Sequence, residues 1–181
     1  DIVRSKTDEV VVGNHDAAVT GRMDYSYYYE AARKVLDLHA MRLTEDNMTW
    51  LKALPYSRTF PDLGLTICHG SPVSQEEFDY IFTAEQAYGI LPHYDSFSPV
   101  TCIGHSHLCR VFALTRDSVE EIAHHRFTFD EDRKYIVSVG SVGQPRDYDN
   151  RATYTVFDSE SREFYFKRVE YDIETSANKI F

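Results

Sequence analysis

Cysteine is scarce in this 181-residue chain: Cys68, Cys102 and Cys109 are the whole set. An odd, sparse set with no C-x-x-C pair is not a disulfide framework. It reads as packed, reduced thiols in a cytoplasmic protein. Long apolar runs are also missing. The longest aliphatic stretch is Val10 to Val12, so no segment spans a bilayer, and Asp1 to Lys6 holds no signal-peptide h-region. Basic residues are outnumbered, with 19 Lys and Arg against 29 Asp and Glu and a net charge of −10. That balance argues against a nucleic-acid backbone binder, whose footprint is usually basic, and disfavours an anionic membrane surface. There is no internal repeat, no low-complexity tract and no Gly/Ser or Pro linker, so a single domain over residues 1–181 is expected. Apolar residues make up 43% and aromatics 14%, enough for a packed core.

Strand and helix signals alternate over the first half. Val10 to Val12 reads as a buried strand stopped by Gly13-Asn14-His15-Asp16. Tyr25, Tyr28, Tyr29, Ala32, Val35, Leu36 and His39 fall at steps of three and four, which predicts an amphipathic helix from about Asp24 to His39 packing its aromatic face into the core. A second helix is expected from Thr44, with Glu45 and Asp46 in its first turn, to a stop before Pro55. Leu63–Cys68 and Val100–Ile103 read as strands, and 75–91 as a helix between prolines. Strands follow at 110–114, 119–124, 135–139, 152–158 and 163–171. The pattern points to a mixed α/β layered domain.

Three strand signals end in polar turns that contain histidine: Asn14-His15-Asp16, His69 and His105-x-His107. Each has a glycine beside it, which lets backbone approach a ligand closely. Open α/β sheets place sites at the carboxyl ends of strands. On an extended strand His105 and His107 would project to one side, where two metals ~3.5–4 Å apart could take one each. An amide oxygen with imidazole nitrogens suits Mn, Fe, Zn or Ni better than Ca or Mg. Asp37-Leu38-His39 sits inside a helix, where positions two apart diverge. His124 and His125 are adjacent on an expected strand and face opposite ways. Gly140 to Gly143 lacks the Gly-Lys-Ser/Thr of a P-loop. His39 and His93 read as ordinary histidines. Arg146 is a candidate for a substrate phosphate, or for an ion pair with Asp147.

Gly13-Asn14-His15-Asp16, Cys68-His69-Gly70 and Gly104-His105-Ser106-His107, in this order, resemble the motifs of the calcineurin-like metallophosphoesterases. Gly140-Ser141-Val142-Gly143-Gln144-Pro145-Arg146 resembles the turn that follows in small bacterial members. The resemblance runs from near residue 1 to about residue 158. It implies a four-layer αββα sandwich of two mixed sheets with a dimetal site at one edge. It also implies Asn14, His69 and His105 as ligands of one divalent ion and His107 as a ligand of the other, with His15 as catalytic acid and Asp16 as the carboxylate orienting it. The implied activity is hydrolysis of a small phosphorylated substrate, monoester or diester. A non-catalytic, protein-binding scaffold of the same fold is the alternative. The family's Gly-Asp-x-x-Asp motif does not occur here, and the one Asp-x-His, Asp37-Leu38-His39, falls inside the expected helix, so the domain is expected to be N-terminally incomplete in this sequence, without its first strands.

Overall fold

A computed structural model of the chain describes residues 2–123 and 126–179. Its main sheet has six strands in the order β1-β2-β3-β7-β4-β5. These are β1 (Ser57–Phe60), β2 (Leu65–Cys68), β3 (Val100–Ile103), β4 (Cys109–Leu114), β5 (Val119–Glu121) and β7 (Lys134–Val139). The sheet is mixed: β2, β3 and β7 run parallel, while β1, β4 and β5 pair antiparallel with their neighbours. A smaller sheet of β6 (Arg126–Thr128), β9 (Glu163–Val169) and β8 (Ala152–Asp158) is antiparallel in its described strands, where a second mixed sheet is the expectation.

The period-two alternation of β4 and β7 explains how the layers stack. Val111, Ala113, Tyr135 and Val137 face the small sheet and pack with Phe164, Phe127 and Phe157. Phe112, Leu114 and Ile136 face the other way, onto Ala87 of α4 (Ala84–Gly89) and onto Leu91 and Phe97 around the 3-10 turn Leu91–Ser96. The main sheet is therefore covered on both faces around β4 and β7, whereas β1 and β2 are mostly half-buried. The α/β class and the two-sheet sandwich are those expected from the sequence.

Local details differ where tertiary contacts override pattern. Val10 to Val12 joins no sheet: the Val12 amide donates to the Pro55 carbonyl at 2.9 Å, and the Asn14 turn opens a short helix, α1 (Asn14–Val19). The expected helix from Asp24 begins late, as α2 (Glu30–Arg42), because Asp24 accepts from the Ser26 amide at 2.9 Å and closes a turn before it. Its tyrosines thus precede the helix instead of facing the core, and Tyr27 and Tyr29 are exposed. Helix α3 (Glu45–Ala53) starts where expected, with Thr44 Oγ1 accepting from the Asn47 amide at 3.2 Å. The helix expected over 75–91 is broken into a 3-10 turn (Gln75–Glu77), an irregular strap and α4. Ser74 and Phe78 have φ of 47° and 54°, outside helical space, and Thr83 with Gln86 forms a capping box that restarts the helix. A short closing helix, α5 (Ile173–Ala177), follows β9. No helix among the described residues is long and apolar enough to cross a membrane. The expectation for His124 and His125 lies outside the described residues.

Candidate active site

The ends of β2 and β3 lie side by side in parallel register, and the Gly104 amide donates to the His69 carbonyl at 2.9 Å. This hydrogen bond holds the two histidine-bearing turns together. The His69 and His105 rings follow at 4.9 Å between centroids. From the other side the first residue of α1 completes the group, with Asn14 Oδ1 3.1 Å from His69 Nε2. Gly13 makes that approach possible, since a Cβ there would stand 3.1 Å from His69 Cε1 and 3.2 Å from Asp16 Oδ2.

His105 and His107 are not on an extended strand, as their i, i+2 spacing suggests. Strand β3 stops at Ile103, and both residues sit in a turn with φ of 57° and 61°. The turn is pinned from inside by Ser106, whose hydroxyl lies 2.7 Å from Ser138 Oγ on β7 and accepts from the Leu108 amide. His107 Nδ1 faces the Gln144 carbonyl at 2.7 Å, and the Arg146 amide donates to the His107 carbonyl at 3.1 Å. With Nδ1 so engaged, Nε2 is the nitrogen of His107 left for a ligand.

His15 is exposed on α1. His15 follows Asn14 in the chain, and after burial it is a minor contributor to the lowered pKa of His69, His105 and His107. It also lines a surface cavity of about 280 Å³ with His39 and Arg42 of α2, which gives His39 a place beside the site. Asp16 does not do what the resemblance implies. Its carboxylate turns back to accept from the Gly13 amide at 2.9 Å, capping α1, and makes no hydrogen bond to His15 among the described residues. Arg146 donates to Gln144 Oε1 at 3.0 Å, while Asp147 pairs with Arg168 instead.

Burial dominates the electrostatics. It lowers the His69 pKa to about 4 and that of His105 to about 3, with the neighbouring histidines adding to the effect, and it lowers His107 as well. All three imidazoles are therefore neutral at pH 7, the form that coordinates a cation. An amide oxygen and neutral imidazoles are fit donors for one borderline divalent ion, and Asn14 Oδ1 and His69 Nε2 already stand at the separation of adjacent ligands. Among the described residues no three His, Cys, Asp or Glu side chains are yet in a ligating arrangement, and no carboxylate is among the charges that shift these imidazoles.

Two participants are invisible in the sequence pattern. Tyr28 Oη accepts from Asn14 Nδ2 at 3.3 Å, and Tyr80 stacks on His105. Both tyrosines lie in segments that pattern alone assigns to helices.

This two-sheet sandwich, with its histidine-bearing turns at the ends of β2 and β3, matches the fold of a solved metallophosphoesterase. The crystal structure of a metallophosphoesterase from Sphaerobacter thermophilus superposes with a TM-score of 0.77 at 29% identity, over 99% of this chain and 73% of that one. A hypothetical protein of Pyrococcus horikoshii OT3 shares the fold at a TM-score of 0.71 and 16% identity, over 99% of this chain and 69% of the other. An uncharacterized protein of Methanocaldococcus jannaschii is 28% identical over 182 aligned positions, 99% of this chain and 72% of that relative. No protein-family model matches the chain.

Proposed function

We propose that this chain carries the active centre of a metal-dependent phosphoester hydrolase acting on small phosphorylated substrates in the cytoplasm. The observation that supports this reading most is the meeting of Asn14, His69 and His105, from three separate turns, with His15 beside them. Structural likeness to a metallophosphoesterase agrees with it.

Asn14, His69 and His105 are the side chains that would hold one divalent cation, with His107 reserved for a second. A cation held there would offset negative charge on the phosphoryl oxygens and would make a water acidic enough to act as nucleophile at neutral pH. The chain's own residues supply the rest. His15, protonated on a ring nitrogen, gives that proton to the leaving oxygen. The exposed position of His15 on α1 lets a substrate reach it. The Arg146 guanidinium, bonded only to the neutral Gln144 side chain among the described residues, is left for a substrate phosphate. Asp16 sets where His15 stands by capping the helix under it, not by touching its ring. The three thiols are unpaired, which suits a reducing compartment.

The test, made on the full-length protein because the fragment alone is expected to have little activity, is a panel of chromogenic phosphomonoesters and phosphodiesters with Mn²⁺ added, followed by His15→Ala. The variant is expected to lose roughly 10²–10⁴ in turnover, the usual worth of a general acid, with metal content by elemental analysis unchanged. A wild-type protein inactive on the whole panel would sink the reading. Metal loss in the variant would move His15 into the ligand set.

A further inference from the structure

We propose that Tyr80 is a positioning residue that fixes the plane of the His105 imidazole, so that the His105 lone pair points at the place where a metal would lie. The proposal rests on the metal-dependent reading above. A histidine ring turns easily about its last torsion, whose energy profile is broad. The backbone of His105, in a turn at φ 57°, places the ring but does not set that last torsion. A nitrogen lone pair lies in the ring plane, so whatever fixes the plane also aims the donor.

The side chain in position to do this is Tyr80. Its ring is 3.7 Å from that of His105 and inclined by only 13°, closer than most aromatic pairs. Phe82 continues the stack at 4.5 Å and 14°. The backbone that presents Tyr80 is tied at both ends. On the inner side the Ser71 amide donates to the Asp79 carbonyl at 2.8 Å, and Gly70 lies so close that a Cβ would meet that same carbonyl at 2.9 Å. On the outer side Gln86 Oε1 accepts from the Phe82 and Thr83 amides at 2.6 and 3.2 Å. Phe78, in the same strap, is buried against His69 with its ring edge-on at 5.8 Å.

Two features separate this role from ordinary packing. Tyr80 is 38% exposed, so folding depends little on it. Its hydroxyl makes no hydrogen bond among the described residues, so the ring is the working part and phenylalanine should replace it.

The experiment compares wild type, Tyr80→Phe and Tyr80→Leu after removal of metal with chelator. Mn²⁺ affinity is measured by calorimetry, and the visible absorption of the Co²⁺ form reports ligand geometry. Tyr80→Phe should match wild type in both. Tyr80→Leu should bind Mn²⁺ about tenfold more weakly, the low end of the loss typical when a partner that orients a metal-bound histidine is removed, and its Co²⁺ spectrum should change. In metal-free protein the His105 ring protons should move downfield in Tyr80→Leu alone, as they lose the ring current of the stack. Unchanged affinity and spectrum in Tyr80→Leu would overturn the proposal while leaving the metal reading intact. A wild type that takes up no metal would overturn both.

Discussion

Replacing Arg168 with methionine should destabilise the protein and loosen His107 at the same time. Arg168 stands on β9, and its side chain is only 14% exposed. It pairs with Asp147, itself 19% exposed, and its Nη1 also donates to the Asp149 carbonyl at 3.3 Å. Cys109 Sγ lies 3.4 Å from Nη2. Those contacts staple the 140–151 loop onto the small sheet, and that loop carries Gln144, the partner of His107. Removing one member of a fully buried ion pair costs about 3–5 kcal/mol, chiefly for the charge left behind. With nearly a fifth of Asp147 in water, about 2–3 kcal/mol is the reasonable figure, read from the urea midpoint.

The pH dependence has a definite sign. Burial alone would raise the Asp147 pKa, but the hydrogen bond and charge of Arg168, with smaller help from Cys109 and a backbone amide, hold it below the ordinary carboxylate value. Stability from a depressed carboxyl is present above the unfolded value of about 3.9 and is lost as pH falls through the folded one. The gap between wild type and Arg168→Met should therefore be constant from pH 7 to about pH 5 and close in more acid solution. Adding Asp147→Asn to Arg168→Met should recover part of the loss, because no orphaned charge remains. A gap below about 0.5 kcal/mol at pH 7, or one that widens in acid, would refute the reasoning.

Gly140→Ala should be among the most damaging small changes. The residue has φ 84°, and a Cβ would meet Thr153 Cβ at 2.8 Å and Cys109 Sγ at 2.9 Å, so a loss of at least about 1–3 kcal/mol in chemical denaturation is expected. Lys134→Met should cost about 1–2 kcal/mol, since Nζ donates to the carbonyls of Tyr94 at 2.8 Å, Asp95 at 3.3 Å and Phe97 at 2.5 Å and closes the turn under the main sheet. The thiols should resist alkylation in the native state at pH 8. Burial raises Cys68 and Cys102 to about 12 and Cys109 to about 11, so rapid labelling of folded protein, counted by mass, would contradict the packing.

Strands with a β-branched or apolar run and a clear stop were legible in the sequence. Val100–Ile103 and Ala152–Asp158 have the expected bounds, and the Thr44 cap was readable from Thr, Glu and Asp alone. Short elements held by neighbours were not. Ser57–Phe60 lies between two prolines and owes its strand character to pairing with β2. Val10 to Val12 has a strand's composition but spends an amide on Pro55. The spacing of Tyr25 to Tyr29 mimics a helix face, and only the Asp24 turn shows otherwise. At the site, the residue types that could hold a cation were visible as types. What orients them was not, because Tyr80, Tyr28, Ser106 and the Gln144 carbonyl act through contacts between distant segments.

The two left-handed histidines have a consequence for how this protein could evolve or be engineered. Holding an L-residue with a Cβ at φ near 60° disfavours the folded state by about 1–2 kcal/mol, a penalty glycine does not carry and asparagine carries less. His107, less buried than His105, stands where asparagine or glycine would make the turn more stable. Selection for thermostability alone should drift toward those residues and away from imidazole, whereas selection for turnover should hold histidine against the gradient. Under the proposed function, the turn after β3 sets stability against activity in the backbone torsions of His105 and His107.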